Sequence, residues 1–192
     1  MNDVHQILER DLTILEEMVV EIDGYLMSEA THWIMARGDM PKLTIGGCLM
    51  RQHRLSVVRD QLEPAEQVRL DTILERLEEA LKEKVVRFED KGHQEVHGRL
   101  SEWTGYLRDL TSRMATEAEY YASVVDTRVV ITALLNKLRL PPYQLNPHVP
   151  NEVDQLDGHL RSRWHSGEFV WPAVWQPAYP ADEYWWLYGR PR

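Results

Sequence analysis

Apolar residues recur along the first two thirds of the chain in alternating steps of four and three. Leu8, Leu12, Leu15, Val19, Ile22 and Leu26 form the first such stripe, the spacing that gathers side chains on one face of a helix. The breaker-rich stretch Arg37-Gly38-Asp39-Met40-Pro41 reads as a loop. Thr44 stands where it can cap a second helix through Leu49 and Val58 to about Gln61. A third opens at Glu63-Pro64, since proline at the first helical position forfeits no hydrogen bond. Its stripe is Leu70, Leu74, Leu77, Leu81, Val85 and Phe88. On its other faces Glu78 with Lys82 and Glu83 with Arg87 have the spacing of helical ion pairs. Val96, Leu100, Trp103, Leu107, Leu110 and Met114 repeat the stepping, so the spacing fits one long bent rod or two helices with a break near Gly92, and the bent rod is the reading favoured. Thr116 and Glu119 have the capping-box spacing and open a helix carrying Tyr120, Val124, Ile131, Leu134 and Leu138. Pro141-Pro142 ends it. After a linker, Asn151 is expected to cap a short amphipathic helix with Val153, Leu156, Leu160 and Trp164 on one face, stopped by Gly167. No alternating strand pattern is visible, and residues 4–139 are expected to contain no strand.

The pattern changes at the C-terminus. Residues 164–192 hold five of the seven tryptophans, one of the two phenylalanines and three of the eight tyrosines. Each large ring can bury about 150–250 Å², and solvated, disordered tails are poor in such residues. Pro172, Pro177 and Pro180 forbid a continuous helix and favour an extended path. The segment therefore reads as a strap that docks through Phe169, Trp171, Trp175, Tyr179, Tyr184, Trp185, Trp186 and Tyr188. Asp182, Glu183 and Arg190 should face water.

The fold expected is all-α: an up-and-down bundle of four or five main helices, a short amphipathic helix and the Pro/Trp-rich strap. Residues 1–140 are read as the bundle and 141–192 as linker, short helix and strap, together one domain. A net charge of −9 argues against nucleic acid and against an anionic membrane, both of which call for a surplus of Lys and Arg. The single cysteine, Cys48, fits a reducing compartment. The start, Met1-Asn2-Asp3-Val4-His5-Gln6, lacks the basic and apolar regions of a secretory signal, so the expected location is cytoplasmic.

Candidate chemistry centres on histidine. His93 and His97 stand at i,i+4, the spacing of two metal ligands on one helical face, with Glu89 one turn earlier and His53 or His32 as a third donor. Such a site would resemble DinB-type four-helix metal proteins, whose second helix Thr44-Ile45-Gly46-Gly47 also resembles. The competing reading places His93 and His97 as solvated residues between Lys91 and Arg99, and it is the one adopted. Glu29-Ala30-Thr31-His32 has the form of one di-iron Glu-x-x-His element, but that chemistry needs a second copy. Arg87 and His93 have the R-x5-H spacing of HEPN-type ribonucleases, with Phe88 where that pattern carries a polar residue. Gly46-Gly47 lacks the lysine of a phosphate loop, and Cys48 beside Leu49 and Met50 reads as a small buried hydrophobe. No catalytic residue and no cofactor is assigned.

Several stretches together resemble an uncharacterised family of bacterial helical proteins. They are Tyr25-Leu26-Met27-Ser28, Leu43-Thr44-Ile45-Gly46-Gly47, Arg99-Leu100 with Trp103 and Leu107, and the ending Phe169-Val170-Trp171, Gln176-Pro177-Ala178-Tyr179-Pro180 and Tyr184 to Arg190. The resemblance implies one coherent unit with an integral tail, and carries no activity or site. The function expected is a non-enzymatic interaction or scaffold protein with a protein partner or a second copy of itself. The alternatives are a metal-dependent bundle using His93, His97 and His53, and a binder of an apolar ligand between Trp103 and the strap.

Overall fold

The computed structural model of the protein describes residues 2–112 and 114–192; Met1, the first residue of the stretch read for a signal, and Arg113 lie outside them. The described residues are mainly α-helical. In chain order they form α1 (Asn2–Met27), α2 (Ile45–Val57), α3 (Pro64–Glu83), α4 (Val85–Arg108), α5 (Ala118–Val124), α6 (Asp126–Leu138) and α7 (Val149–Arg161), with short 3-10 turns between and after them. No helix among them is long and apolar enough to cross a membrane. Within residues 4–139 the only extended pairing described is an isolated bridge, Trp33 with Leu43, which exchange two hydrogen bonds of 2.9 Å.

Most positions of the 4,3 stripes lie in the core, but Met114, beyond the end of α4, and Tyr120 of α5 are exposed. Leu8, Leu12, Leu15, Ile22 and Leu26 of α1 are fully covered, as are Leu70, Leu77 and Leu81 of α3 and Phe88 and Val96 of α4. Helix α1 packs on α2 and α3, and α6 on α2 and α4. The close approach of α2 to α6 needs Gly46, because a Cβ there would sit 2.3 Å from Val130 Cγ1 and 2.9 Å from Glu95 Oε1. Gly46→Ala should therefore cost about 1–3 kcal/mol by overpacking, read as a lower urea midpoint, whereas Gly98→Ala, in open space, should not destabilise. The start of α2 is held twice. Thr44 Oγ1 accepts from the Gly47 N–H at 3.0 Å, as its position predicts, and the buried Glu95 carboxylate accepts from the Gly46 N–H at 2.8 Å. Burial pushes the Glu95 carboxyl up, against the pull of Gly46, Arg99 and Thr44.

Several local expectations shift. The rod formed by α3 and α4 is broken at Lys84, whose backbone (φ −123°, ψ 46°) is not helical, while Gly92 lies within α4. Neither i,i+4 pair forms a close ion pair: Glu78 is bound by Lys137 and Gln52, Glu83 by Lys84, and Arg87 by Glu29. Glu117 rather than Thr116 precedes α5, and a break at Val125 separates α5 from α6. Helix α7 starts at Val149 with Pro150 in its first turn, ahead of Asn151, and ends before Trp164.

Trp164 instead opens a strand. β1 (Trp164–Phe169) pairs antiparallel with β2 (Tyr188–Pro191), in register Trp164 with Pro191 and Phe169 with Tyr188, and with an irregularity between Ser166 and Phe169. Gly189 is the residue this pairing requires. Its φ of 137° suits glycine, and a Cβ would fall 2.1 Å from the His165 carbonyl. Between the strands the chain runs through two 3-10 turns, Ala173–Ala178 and Trp185–Leu187. Asp182 and Glu183 are exposed, while Arg190 is half-buried and reaches the Thr116 carbonyl.

Candidate functional site

Two arginines, the half-buried Arg54 and the buried Arg128, meet the C-terminal aromatics. Arg54 of α2 grips Asp11 of α1, 4 % exposed, through Nε at 2.6 Å and again through Nη2, and its guanidinium lies 4.4 Å from the Trp175 ring centroid. Arg128 of α6 makes the same arrangement with Asp157 of α7, at 2.8 Å through both Nε and Nη2, and its guanidinium lies 3.9 Å from the Trp186 centroid. A planar, weakly hydrated guanidinium can satisfy a carboxylate with its edge and an indole with its face at once. Tyr121 OH donates to the Trp186 carbonyl at 2.7 Å, and Trp171 Nε1 to the Ala122 carbonyl at 2.9 Å. Trp175, Tyr179, Tyr184 and Trp186 are buried; Phe169, Trp171, Trp185 and Tyr188 are half-buried.

Beside this contact lies a cleft of about 380 Å³ between α2, α3, α6 and the C-terminal segment. Leu49, Met50, Val129 and Ala133 give it an apolar floor, and Tyr179 and Tyr184 an aromatic wall. The polar groups come from three helices. Glu78 Oε1 accepts from Gln52 Nε2 at 3.1 Å and from Lys137 Nζ at 2.5 Å. Burial raises the Glu78 carboxyl, but the Lys137 and Gln52 hydrogen bonds and the Lys137 and Lys82 charges outweigh it, holding it below the usual carboxylate range. His53 Nε2 lies 2.7 Å from the Ala178 carbonyl, and its ring stacks on Tyr184 at 6.1 Å and tilts against Tyr179 at 5.5 Å. A ring nitrogen that close to a carbonyl oxygen carries the proton.

The histidines proposed as metal donors are held apart by other work. His53 is committed to the C-terminal segment. His93 lies in α4 with Nδ1 2.8 Å from the Glu89 carbonyl, and its Nε2 accepts from the Asn146 N–H at 3.2 Å. Glu89 accepts from the Gln144 N–H at 2.7 Å, so both residues hold the linker ahead of α7. His97 is exposed, and His32 is exposed beside Thr31. Among the described residues no three His, Cys, Asp or Glu side chains converge as a metal site. Arg87 pairs with Glu29 at 3.0 Å. Cys48 is buried against Met18, and burial pushes its thiol up to about 12, which removes it as a nucleophile at neutral pH.

The 380 Å³ cleft is not the pocket expected between Trp103 and the strap, since Trp103 is not among its lining residues. Trp103 is covered and stacked on Tyr106 at 5.1 Å, and the cleft bordered by the C-terminal segment lies instead on the α2–α6 side. Gln52, Glu78 and Lys137 escaped the sequence reading because each looks like an ordinary solvated helix residue. Only His53 and the two tyrosines carried a signal there. No protein-family model, no curated protein and no solved structure matches the chain.

Proposed function

We propose that this chain is a non-enzymatic binding protein whose site is the α2–α3–α6 cleft. The observation that carries the reading is an apolar, aromatic-walled recess bordered by a small set of fixed polar groups, Gln52, His53, Glu78 and Lys137. Its volume falls toward the lower part of the about 300–1,000 Å³ common for small-molecule sites. In this reading the helices form an up-and-down bundle and residues 164–192 a strap that closes one side of it. The two Asp–Arg–Trp contacts and the covered Trp175 and Trp186 support that arrangement. The lone, inert Cys48 supports a reducing, cytoplasmic setting. The test is a fragment screen followed by amide chemical shifts: ligands should perturb Val57, Ala133 and Tyr184 together. Ala133→Trp, which fills the recess from a half-buried position, should abolish those shifts. Hits scattered over the surface, or unaffected by Ala133→Trp, contradict the reading.

The second reading is an interaction or scaffold protein that pairs with a protein partner or a second copy. The aromatic rings that first suggested it are turned largely inward, but Met27 and Ile34 remain 57 % and 78 % exposed. A sedimentation series over a hundredfold concentration range (about 1–100 μM, spanning the μM affinities of weak pairs) should show association if this reading holds, and Ile34→Asp should reduce it.

A further inference from the structure

We infer that the ligand of the cleft is an uncharged molecule whose polar group, of the kind a secondary amide provides, lies midway between two apolar arms. The inference rests on the cleft being a ligand site and adds the ligand's chemical class. Its first basis is the order of residues along the recess. Helices α2 and α6 run in the same direction: Gly46 faces Val130 and Leu134, and further along both helices Gln52 and Lys137 meet on Glu78. The lining residues therefore follow one another along the cleft. Leu49, Met50, Val129 and Ala133 come first, then Gln52, His53, Asn136 and Lys137, and then Val57 and Leu140, 47 % and 55 % exposed. A polar belt thus crosses the cleft between two apolar stretches, with Ser56 at its far edge. From Leu49 to Val57 the helix rises about 12 Å.

The second basis is the charge and the open valences of that belt. Glu78 and Lys137 are paired at 2.5 Å, so together they contribute no net charge. An ammonium drawn to Glu78 would sit beside Lys137, and a carboxylate drawn to Lys137 would sit beside Glu78. Neither recovers what its charge loses on leaving water. An uncharged group loses far less, and both halves of a hydrogen bond are open to it. Asn136 has no partner among the described residues, and Gln52 has used one amide N–H, on Glu78. Each carboxamide therefore offers a donor and an acceptor, which one amide C=O and one amide N–H answer. The Tyr179 hydroxyl is fully covered and is not offered to a ligand. Glu75, Glu79 and Glu83 extend from the mouth along α3 against Lys82. They are exposed, and screening by water and salt leaves them little hold on a bound head group.

The test titrates three probes calorimetrically into the full-length protein at about pH 8, above the usual imidazole range. They are N-butylpentanamide, its isomer nonanamide, and N-butylpentylamine, which has CH2 in place of the carbonyl and is protonated at that pH. N-butylpentanamide should bind about fivefold or more tighter than nonanamide, whose amide lies at one end, and about tenfold or more tighter than the amine. Lys137→Met leaves Glu78 unopposed and should bring the amine level with the amide or ahead of it. Glu78→Gln leaves Lys137 unopposed and should widen the gap. Nonanamide binding as tightly as its isomer, or the amine as tightly as the amide in the wild type, overturns the inference. So does a gap between amide and amine that neither substitution moves. If all three probes bind alike and Ala133→Trp abolishes them, the cleft is the site and the assignment of class alone falls. If none binds in the cleft, both fall.

Discussion

Deleting residues 168–192 should lower the melting temperature by more than about 10 °C or leave the protein insoluble. The segment removed is not a dangling end. It supplies the covered rings of Trp175, Tyr179, Tyr184 and Trp186, the acceptor for the buried Tyr121 hydroxyl and the strand that pairs with β1. Its loss would expose the underlying apolar surface and the indole-facing sides of Arg54 and Arg128. A single substitution gives a graded version. Trp186→Ala removes one buried indole, a change that costs about 3–5 kcal/mol. In a chain of this size that is about 6–20 °C in the midpoint. Circular dichroism melts of wild type, Trp186→Ala and the truncation should rank in that order. A truncated protein that melts with the wild type and stays in solution would mean that the segment adds nothing to the fold.

The second large effect is expected at Asp11. Its carboxylate sits between α1 and α2, accepts from two Arg54 nitrogens, and lies 3.2 Å from Arg51 Nε in an ion-pair contact that lacks hydrogen-bond geometry. The Arg51 and Arg54 side chains are 13 % and 12 % exposed, so neither can recover full hydration if the anion is lost. Breaking a buried pair from one side costs about 3–5 kcal/mol, because the partner's charge is left uncompensated. Asp11→Ala should therefore lose that much in urea unfolding. Asp11→Ala with Arg54→Met should recover part of the loss by removing one orphaned charge. The exposed pair of Arg10 with Asp39, 47 % and 55 % exposed, is the control: Asp39→Ala should leave the urea midpoint essentially where it is in the wild type. If Asp11→Ala behaves like Asp39→Ala, the buried network does not hold α1 to α2.

Legibility in the sequence followed the range of the interaction. Stripes such as Leu8–Leu12–Leu15 and Leu70–Leu77–Leu81 are local, and they mark core faces without further information. The cap at Thr44 is also local and forms as spaced. The break at Lys84 was missed because glycine is the stronger breaker by propensity, yet Gly92 sits comfortably in α4 where it packs beside Leu138. The β1–β2 pair was missed for a different reason. Trp164-His165-Ser166-Gly167-Glu168-Phe169 shows little alternation, and its partner begins nineteen residues after it ends, across the aromatic turns. The density of rings at the C-terminus announced burial but not what would receive it. Arg54 and Arg128, which receive Trp175 and Trp186, read as ordinary basic residues in helices. The cleft is the least legible feature, since Gln52, Glu78 and Lys137 come from three helices and meet only in the tertiary structure.

If the C-terminal segment is an integral wall of the folded unit, and so of the cleft it borders, it should unfold only together with the helices. Native-state hydrogen exchange tests this most directly. The Val170 N–H, bonded to the Leu187 carbonyl at 2.9 Å, and the Tyr184 N–H, bonded to the Pro180 carbonyl at 2.8 Å, report on the segment itself. Both should open with a free energy close to that of the interior amides of α2, as members of one cooperative unit. Exchange of Val170 and Tyr184 at unprotected rates, while α2 stays protected, would mean that the segment opens independently of the helices.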